Sequence, residues 1–409
     1  MNNNVSSFLN FLIKISNHIG CNINIDNLKN NIKNEYEMVA KVLDEINKYF
    51  YQTNKQLDSE YISEFHKYWG KNHEVILSPC IDKNKALEIA QILENIYKEN
   101  DIKVQLNTLD LKKEDIANVR FFTAIQDFKI DINTKINPFE LFKIQPDFFN
   151  PEKILSNELL IDNFLNRIGA DSQRDKRKPW MRESAKLLKQ KYMGSAYNIN
   201  KIHDGNVLDI KNALTEGEKY GFSQKKADMF LRDMADLNVW KYKEGVEQIN
   251  VMSDKNTMRI AMRTGILKFR IPLLASYLDV YCYQYTLVDK WNVKAWREVW
   301  KIWNKIPNNH RPPTPASIDY LIYRMGKLAC RPSSKLRRCS PMKPVGEKWL
   351  QSQISQDKVI FNSNRYCIFD GICEGERKIL KHPMSISIYG QTGWKSGKTN
   401  EGGGGGIQS

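Results

Sequence analysis

The sequence predicts a mainly α-helical protein with a small N-terminal α/β region and a C-terminal loop framed by cysteines. Three observations carry this. Apolar residues recur at helical spacing from about Lys112 nearly to Cys330. The breaks fall at glycine or proline: Pro138, Pro151, Gly169, Gly194, Gly205, Gly221, Gly265, Pro272 and the stretch Pro307–Pro315. Beyond the last helical run stand Cys330, Cys339, Cys367 and Cys373.

Residues 1–70 read as helices, with apolar faces at Phe8, Phe11, Leu12 and Ile15, then Val39, Val42, Leu43 and Ile46. Glu74–Leu77 reads as a short strand, Lys85–Tyr97 as an amphipathic helix and Ile102–Leu106 as a second strand, a small β-α-β unit. Its first turn, Ser78-Pro79-Cys80, has no glycine-rich phosphate loop, so no nucleotide is assigned to it. Trp296, Trp300 and Trp303 form a stripe at helical spacing, expected to face a core rather than stack on bases. Gly402–Gly406 reads as part of a flexible tail.

No stretch reaches the ~18 consecutive apolar residues of a membrane helix. Met1–Cys21 lacks the basic start and small-residue cleavage site of a leader. Seven cysteines without a leader predict a reducing, cytoplasmic setting, where clustered thiols bind metal more often than they pair.

The chain has 409 residues, enough for two or three domains, and its 41% hydrophobic and 27% charged residues are ordinary for a globular protein. The net charge of +15 is not spread evenly. Residues 1–150 carry 18 basic and 21 acidic side chains, and the rest carries 44 and 26. Codon bias in an Asn-, Lys- and Ile-rich chain would act throughout. Segregated positive charge instead marks the later part as the region that meets a nucleic acid.

Val207–Glu216 and Gln224–Met234 read as two helices joined by Lys219-Tyr220-Gly221-Phe222-Ser223. A Gly–apolar–small turn lets backbone approach a phosphate, and amides at the second helix's start point at it. Gly221, Ser223 and Gln224 are therefore candidate DNA contacts. The run Gly221-Phe222-Ser223-Gln224-Lys225-Lys226-Ala227-Asp228 resembles the hairpin of the helix-hairpin-helix DNA glycosylase superfamily. There a Gly–apolar–Gly–x–Lys–x–Ala pattern carries the catalytic lysine. The match implies Lys225 as nucleophile. Lys226 adjoins it, so the assignment rests on register, and Ser223 stands where the second glycine is usual.

Downstream, Asp254 is a good N-cap ahead of a helical run, and a carboxylate there is held ionised by the helix dipole. The segment Asn250–Arg263 resembles the family's Val-Asp helix. Arg259 and Arg263 match the two arginines that follow the aspartate in the endonuclease III branch. Lys225 and Asp254 lie 29 positions apart, a spacing more like the archaeal 8-oxoguanine glycosylase branch. Phe121–Asp127 resembles the family's early helix ending in Ala-Gln, which implies Gln126 near the gap left by an extruded base.

The four late cysteines are separated by eight, twenty-seven and five residues. They resemble the [4Fe–4S] loop of the endonuclease III branch, which also ends in Cys-x5-Cys. An insertion at about 340–366 and the lack of a closely spaced middle pair depart from it. Four thiolates hold either [4Fe–4S] or Zn²⁺, and the position favours the cluster. Arg331, Arg337 and Arg338 on that loop suit phosphate contacts. Cys21, Cys80 and Cys282 are isolated, as packed thiols are.

The resemblance covers about residues 111–375. It implies a glycosylase fold of two helical subdomains, with residues 1–110 as an accessory region, 111–329 as the core, 330–380 as the cysteine loop and 381–409 as a tail. The implied enzyme is a monomer acting on double-stranded DNA, with the N-terminal region left for partner contacts. It extrudes a nucleotide, and Lys225 attacks C1′ with help from Asp254. Strand nicking by β-elimination is an optional further step. Burial or the neighbouring Lys226 is expected to depress the Lys225 pKa. Oxidised purines, oxidised pyrimidines and modified bases of phage DNA, in an antiviral role, are all open as substrates. Two other readings stand beside this one: a non-catalytic nucleic-acid-binding module, and an N-glycosidase acting on a nucleoside or a modified RNA base.

Overall fold

The computed structural model describes residues 3–32, 34–53, 68, 71–100, 102, 108, 110–127, 136–270, 282–328, 368, 369, 372 and 373. Across these the chain is mainly helical. It runs α1 (Asn3–His18), α2 (Ile25–Asn31), α3 (Glu35–Thr53), α4 (residues 71–77), strand β1 (Cys80–Ile81) and α5 (Lys83–Glu99). Next come α6 (Lys113–Gln126), α7 (Pro138–Ile144), α8 (Pro151–Ser156), α9 (Glu158–Arg167), α10 (Arg174–Lys191) and α11 (Tyr197–Ile202). Then follow α12 (Val207–Thr215), α13 (Gln224–Asp236), α14 (Lys255–Arg263), strand β2 (Leu267–Lys268), α15 (Cys282–Trp303) and α16 (Asp319–Leu328). No helix among the described residues is long and apolar enough to cross a membrane.

The described residues form two compact units. One comprises the described residues within 100–252 and 310–320, the other those within 1–99, 253–309 and 321–409. The first is built around α6. Every residue from Ile116 to Gln126 except Asn118 is buried, so this helix is enclosed on all sides rather than on one stripe. Phe121 meets Phe122, Phe222 and Phe230 with ring centroids 5.2–5.7 Å apart, and Phe230 meets Trp240 at 5.2 Å. Asn118 is spent on a backbone contact, accepting from the Ala196 N–H at 2.7 Å. The aromatic cluster is part of a larger apolar core that also buries Ile125, Leu188, Ile210 and Met234, each Å² of apolar surface contributing ~25 cal/mol.

In the second unit α1 packs on α3, with Val5, Phe8, Leu12 and Ile15 buried on one helix and Val39, Val42, Leu43 and Ile46 on the other. α15 lies along α5. The tryptophan stripe faces inward as its spacing predicts, with Trp296, Trp300 and Trp303 all buried. Trp303 also donates its indole N–H to Glu94 at 2.6 Å, which satisfies the one polar atom of that side chain.

The segment expected as a strand at 74–77 is instead part of α4. Ile76 and Leu77 are fully buried while Val75 is 46% exposed, the one-sided burial of a helix turn. A four-residue apolar run carries too few periods to separate the two. The strand that does form, β1, pairs antiparallel with β2, Cys80 opposite Lys268 and Ile81 opposite Leu267. Of Ile102–Leu106, expected as the second strand of the β-α-β unit, only Ile102 lies among the described residues.

Candidate active site

The hairpin forms where its sequence places it. Asn206 caps α12 by accepting from the Leu208 and Asp209 N–H groups, a short 3-10 turn covers Glu216–Glu218, and α13 starts at Gln224. Gly221 has φ +74°, and a Cβ there would stand 2.6 Å from Ile125 Cγ2 and 2.8 Å from Trp180 Cγ. Both the left-handed backbone and the close approach of α6 and α10 demand glycine. Ser223, by contrast, has φ −82° and ψ 167°, an extended conformation open to any residue. Its hydroxyl caps α13 by accepting from the Lys226 N–H at 3.4 Å. The departure from the Gly–apolar–Gly pattern therefore exchanges a glycine for a helix cap. Gln224 is exposed and donates to Thr215 Oγ1 at 3.2 Å, tying the start of α13 to the end of α12.

The two adjacent lysines go to different places. Lys225 is exposed in the first turn of α13. Lys226 turns inward: its Nζ donates to the Ile125 carbonyl and, at 3.2 Å, to the Gly221 carbonyl, and it lies 4.9 Å from the centre of the Trp180 ring. Burial, with the nearby Arg177 cation, lowers the Lys226 pKa to about 8. The expectation that burial falls on Lys225 is therefore corrected: the desolvated amine is Lys226, and it is committed to holding the hairpin turn against the end of α6.

Gln126, the last residue of α6, is fully buried rather than facing solvent. Its side-chain carbonyl accepts from Arg177 at 3.2 Å, and its Nε2 has no hydrogen-bond partner. Arg177, itself fully buried, also donates to the Gln126 backbone carbonyl at 2.7 Å and to the Ser172 carbonyl at 2.7 Å. The hairpin is fixed from its other side by Lys211 on α12, whose Nζ meets Asp228 of α13 at 2.6 Å and donates to the Gln248 carbonyl at 3.1 Å. Asp228 also accepts from the Asn250 N–H at 3.1 Å. Burial raises its pKa, and Lys211 opposes that. Arg177, Trp180 and Lys211 are not marked by any sequence motif; each sits in an ordinary amphipathic helix.

The other unit carries Asp254. It caps α14 with a reciprocal box: one carboxylate oxygen accepts from the Asn256 and Thr257 N–H groups at 2.8 Å each, and the Asp254 N–H donates to Thr257 Oγ1 at 3.0 Å. The second oxygen accepts from the Asn256 side chain at 2.9 Å. Asn292 of α15 donates to Ser253 Oγ and Thr257 Oγ1 at 2.8 and 3.1 Å, so the cap is braced from behind.

Arg259 and Arg263 do not lie on the surface as phosphate contacts must. They are 4% and 7% exposed, and Arg259 donates to the Gly326 carbonyl of α16 at 3.0 Å. Both are buried within the unit, and Arg259 ties α14 to α16.

Of the four late cysteines, only Cys373 lies among the described residues; Cys330, Cys339 and Cys367 lie outside them, as do Arg331, Arg337 and Arg338. The Cys373 thiol donates to the Arg263 carbonyl at 3.2 Å, at the end of α14. No metal-binding group of His, Cys, Asp or Glu occurs among the described residues. A comparison with protein-family models returns no match, and none of the characterised proteins compared with the chain matches it.

Proposed function

We propose that the protein is a DNA glycosylase of the helix-hairpin-helix type. The observation that carries this is the hairpin itself: a glycine that tolerates no side chain, a capped second helix and an exposed lysine in its first turn. The first N–H groups of α13 have no acceptor within the helix, and such groups suit a phosphate. The later, basic part of the sequence supplies the wider attraction for duplex DNA.

In this reading a nucleotide leaves the base stack, at a cost of a few kcal/mol. The Lys225 amine, once deprotonated, forms a bond to C1′ as the bond from C1′ to the base breaks. The base departs with the bonding electrons and takes up a proton. Opening of the sugar ring then leaves a Schiff base between Lys225 and C1′. The Asp254 carboxylate is assigned the positive charge that develops on the sugar. Both its oxygens already accept hydrogen bonds, which pre-orients it.

A four-cysteine metal group fits the chemistry of the donor set, four thiolates, and Cys373 would be one ligand. It would fix the basic loop and takes no part in the bond-making steps. Incubating the protein with genomic DNAs of differing base modification, and identifying released bases by mass spectrometry, tests the proposal. A free base from one class of DNA is expected. Salt-dependent binding with no base released from any DNA would favour the non-catalytic reading instead.

A further inference from the structure

Away from the hairpin turn, at the other end of α12, the unit built on α6 has an open pocket of about 420 Å³. Its wall includes Lys113, Lys201, Lys241 and Lys243, with Asp204 the one acidic side chain. Asp204 is already paired with Lys243. The remaining three lysines are exposed and make no ion pair with a described residue. Lys113 stands at the first position of α6, where the helix dipole disfavours a cation. Like charges lining one pocket repel one another, and an anion between them removes that repulsion.

The pocket is also built rather than loose. Gly205, at φ +73°, brings the α11–α12 turn against the segment after α13: the Lys243 N–H donates to the Gly205 carbonyl at 3.0 Å and the Val207 N–H to the Glu244 carbonyl at 3.2 Å. Asn200 donates to the Lys241 carbonyl at 3.1 Å. In the wall, Trp240 is 3% exposed and its ring packs edge-on against Phe230 and Tyr242, which holds that side of the pocket fixed.

We propose that this pocket binds a phosphate group of a nucleotide, held by Lys113, Lys201 and Lys241 beside the half-buried ring of Tyr197. α12 has nine residues, so the pocket lies ~13 Å along the helix from the hairpin turn. That distance corresponds to ~4 base pairs of duplex. A strand could therefore meet both. The phosphate comes either from such a strand or from a free nucleotide.

The pair Lys201→Gln/Lys241→Gln tests this against an equal charge change at Lys143 and Lys176, exposed lysines outside the pocket. The probes are a 20-mer duplex titrated over a salt series and a deoxynucleoside monophosphate. If the source is a strand, the pocket variant lowers the slope of log K against log salt by ~2, and the control by less. If it is a free nucleotide, the monophosphate binds the native protein and loses at least tenfold in the variant. Equal binding of both probes by native and pocket variant, or equal losses in variant and control, overturns the proposal. Base release plays no part in these readouts, so failure of the glycosylase assignment would be seen separately.

Discussion

Lys226 reaches back to the glycine five residues before it, donating from Nζ to the Gly221 carbonyl at 3.2 Å. The same amine holds the carbonyl of Ile125 at the end of α6. One side chain thus fastens the hairpin turn to the central helix and leaves its neighbour, Lys225, at the surface. Lys226→Met removes both hydrogen bonds and leaves two carbonyls without this donor. A loss of about 1–3 kcal/mol in denaturant unfolding is expected, against less than about 0.5 kcal/mol for Lys225→Gln. Equal effects of the two would contradict the division of roles.

Gly221→Ala places a methyl group against Ile125 and Trp180 and forces a left-handed alanine. The backbone term is about 1–2 kcal/mol and overpacking adds about 1–3 kcal/mol. The unfolding midpoint should drop accordingly. Gly194 also has a positive φ, but nothing lies within 4 Å of its added Cβ, so Gly194→Ala should show the backbone term alone.

Asp254→Ala should cost about 0.5–2 kcal/mol through the lost cap of α14. Asp254→Asn keeps an acceptor and should recover most of that stability while removing the charge. The Asp254→Asn protein should then be folded and inactive as a glycosylase. Retention of full activity by this folded variant would remove the carboxylate from the chemistry.

Asp236 sets a pH dependence of stability. Burial raises its pKa from 3.8 to about 6, partly offset by the hydrogen bond from Ser317 at 2.8 Å. The folded protein therefore holds a proton that the unfolded chain releases between about pH 4 and pH 6. Stability from this group falls as pH rises through that window, by about 3 kcal/mol in all. Asp236→Asn cannot titrate, so its stability relative to native should climb between pH 4 and pH 7. A difference that stays constant with pH would show that the Asp236 carboxyl has the same pKa folded and unfolded.

What was legible in the sequence was what local pattern decides. The starts of α12 and α13, the Asp254 cap and the inward tryptophan stripe follow from glycine placement, capping residues and apolar period. What was not legible depends on partners far along the chain. Successive helix residues point about 100° apart, so whether Lys225 or Lys226 faces inward is set by where α6 and α10 pack, not by the motif. Arg259 reads as a DNA contact by its resemblance to the family's arginine because nothing near it in sequence announces the Gly326 carbonyl. The pairing of Glu94 with Trp303 joins residues 209 apart, which makes the N-terminal segment part of the unit that carries Asp254.

The central claim is that Lys225 is a nucleophile toward C1′. Borohydride reduction during reaction with DNA that carries the substrate base, or an abasic site, measures it directly. The native protein should become covalently joined to the strand and Lys225→Gln should not. Undiminished trapping by Lys225→Gln would contradict the claim.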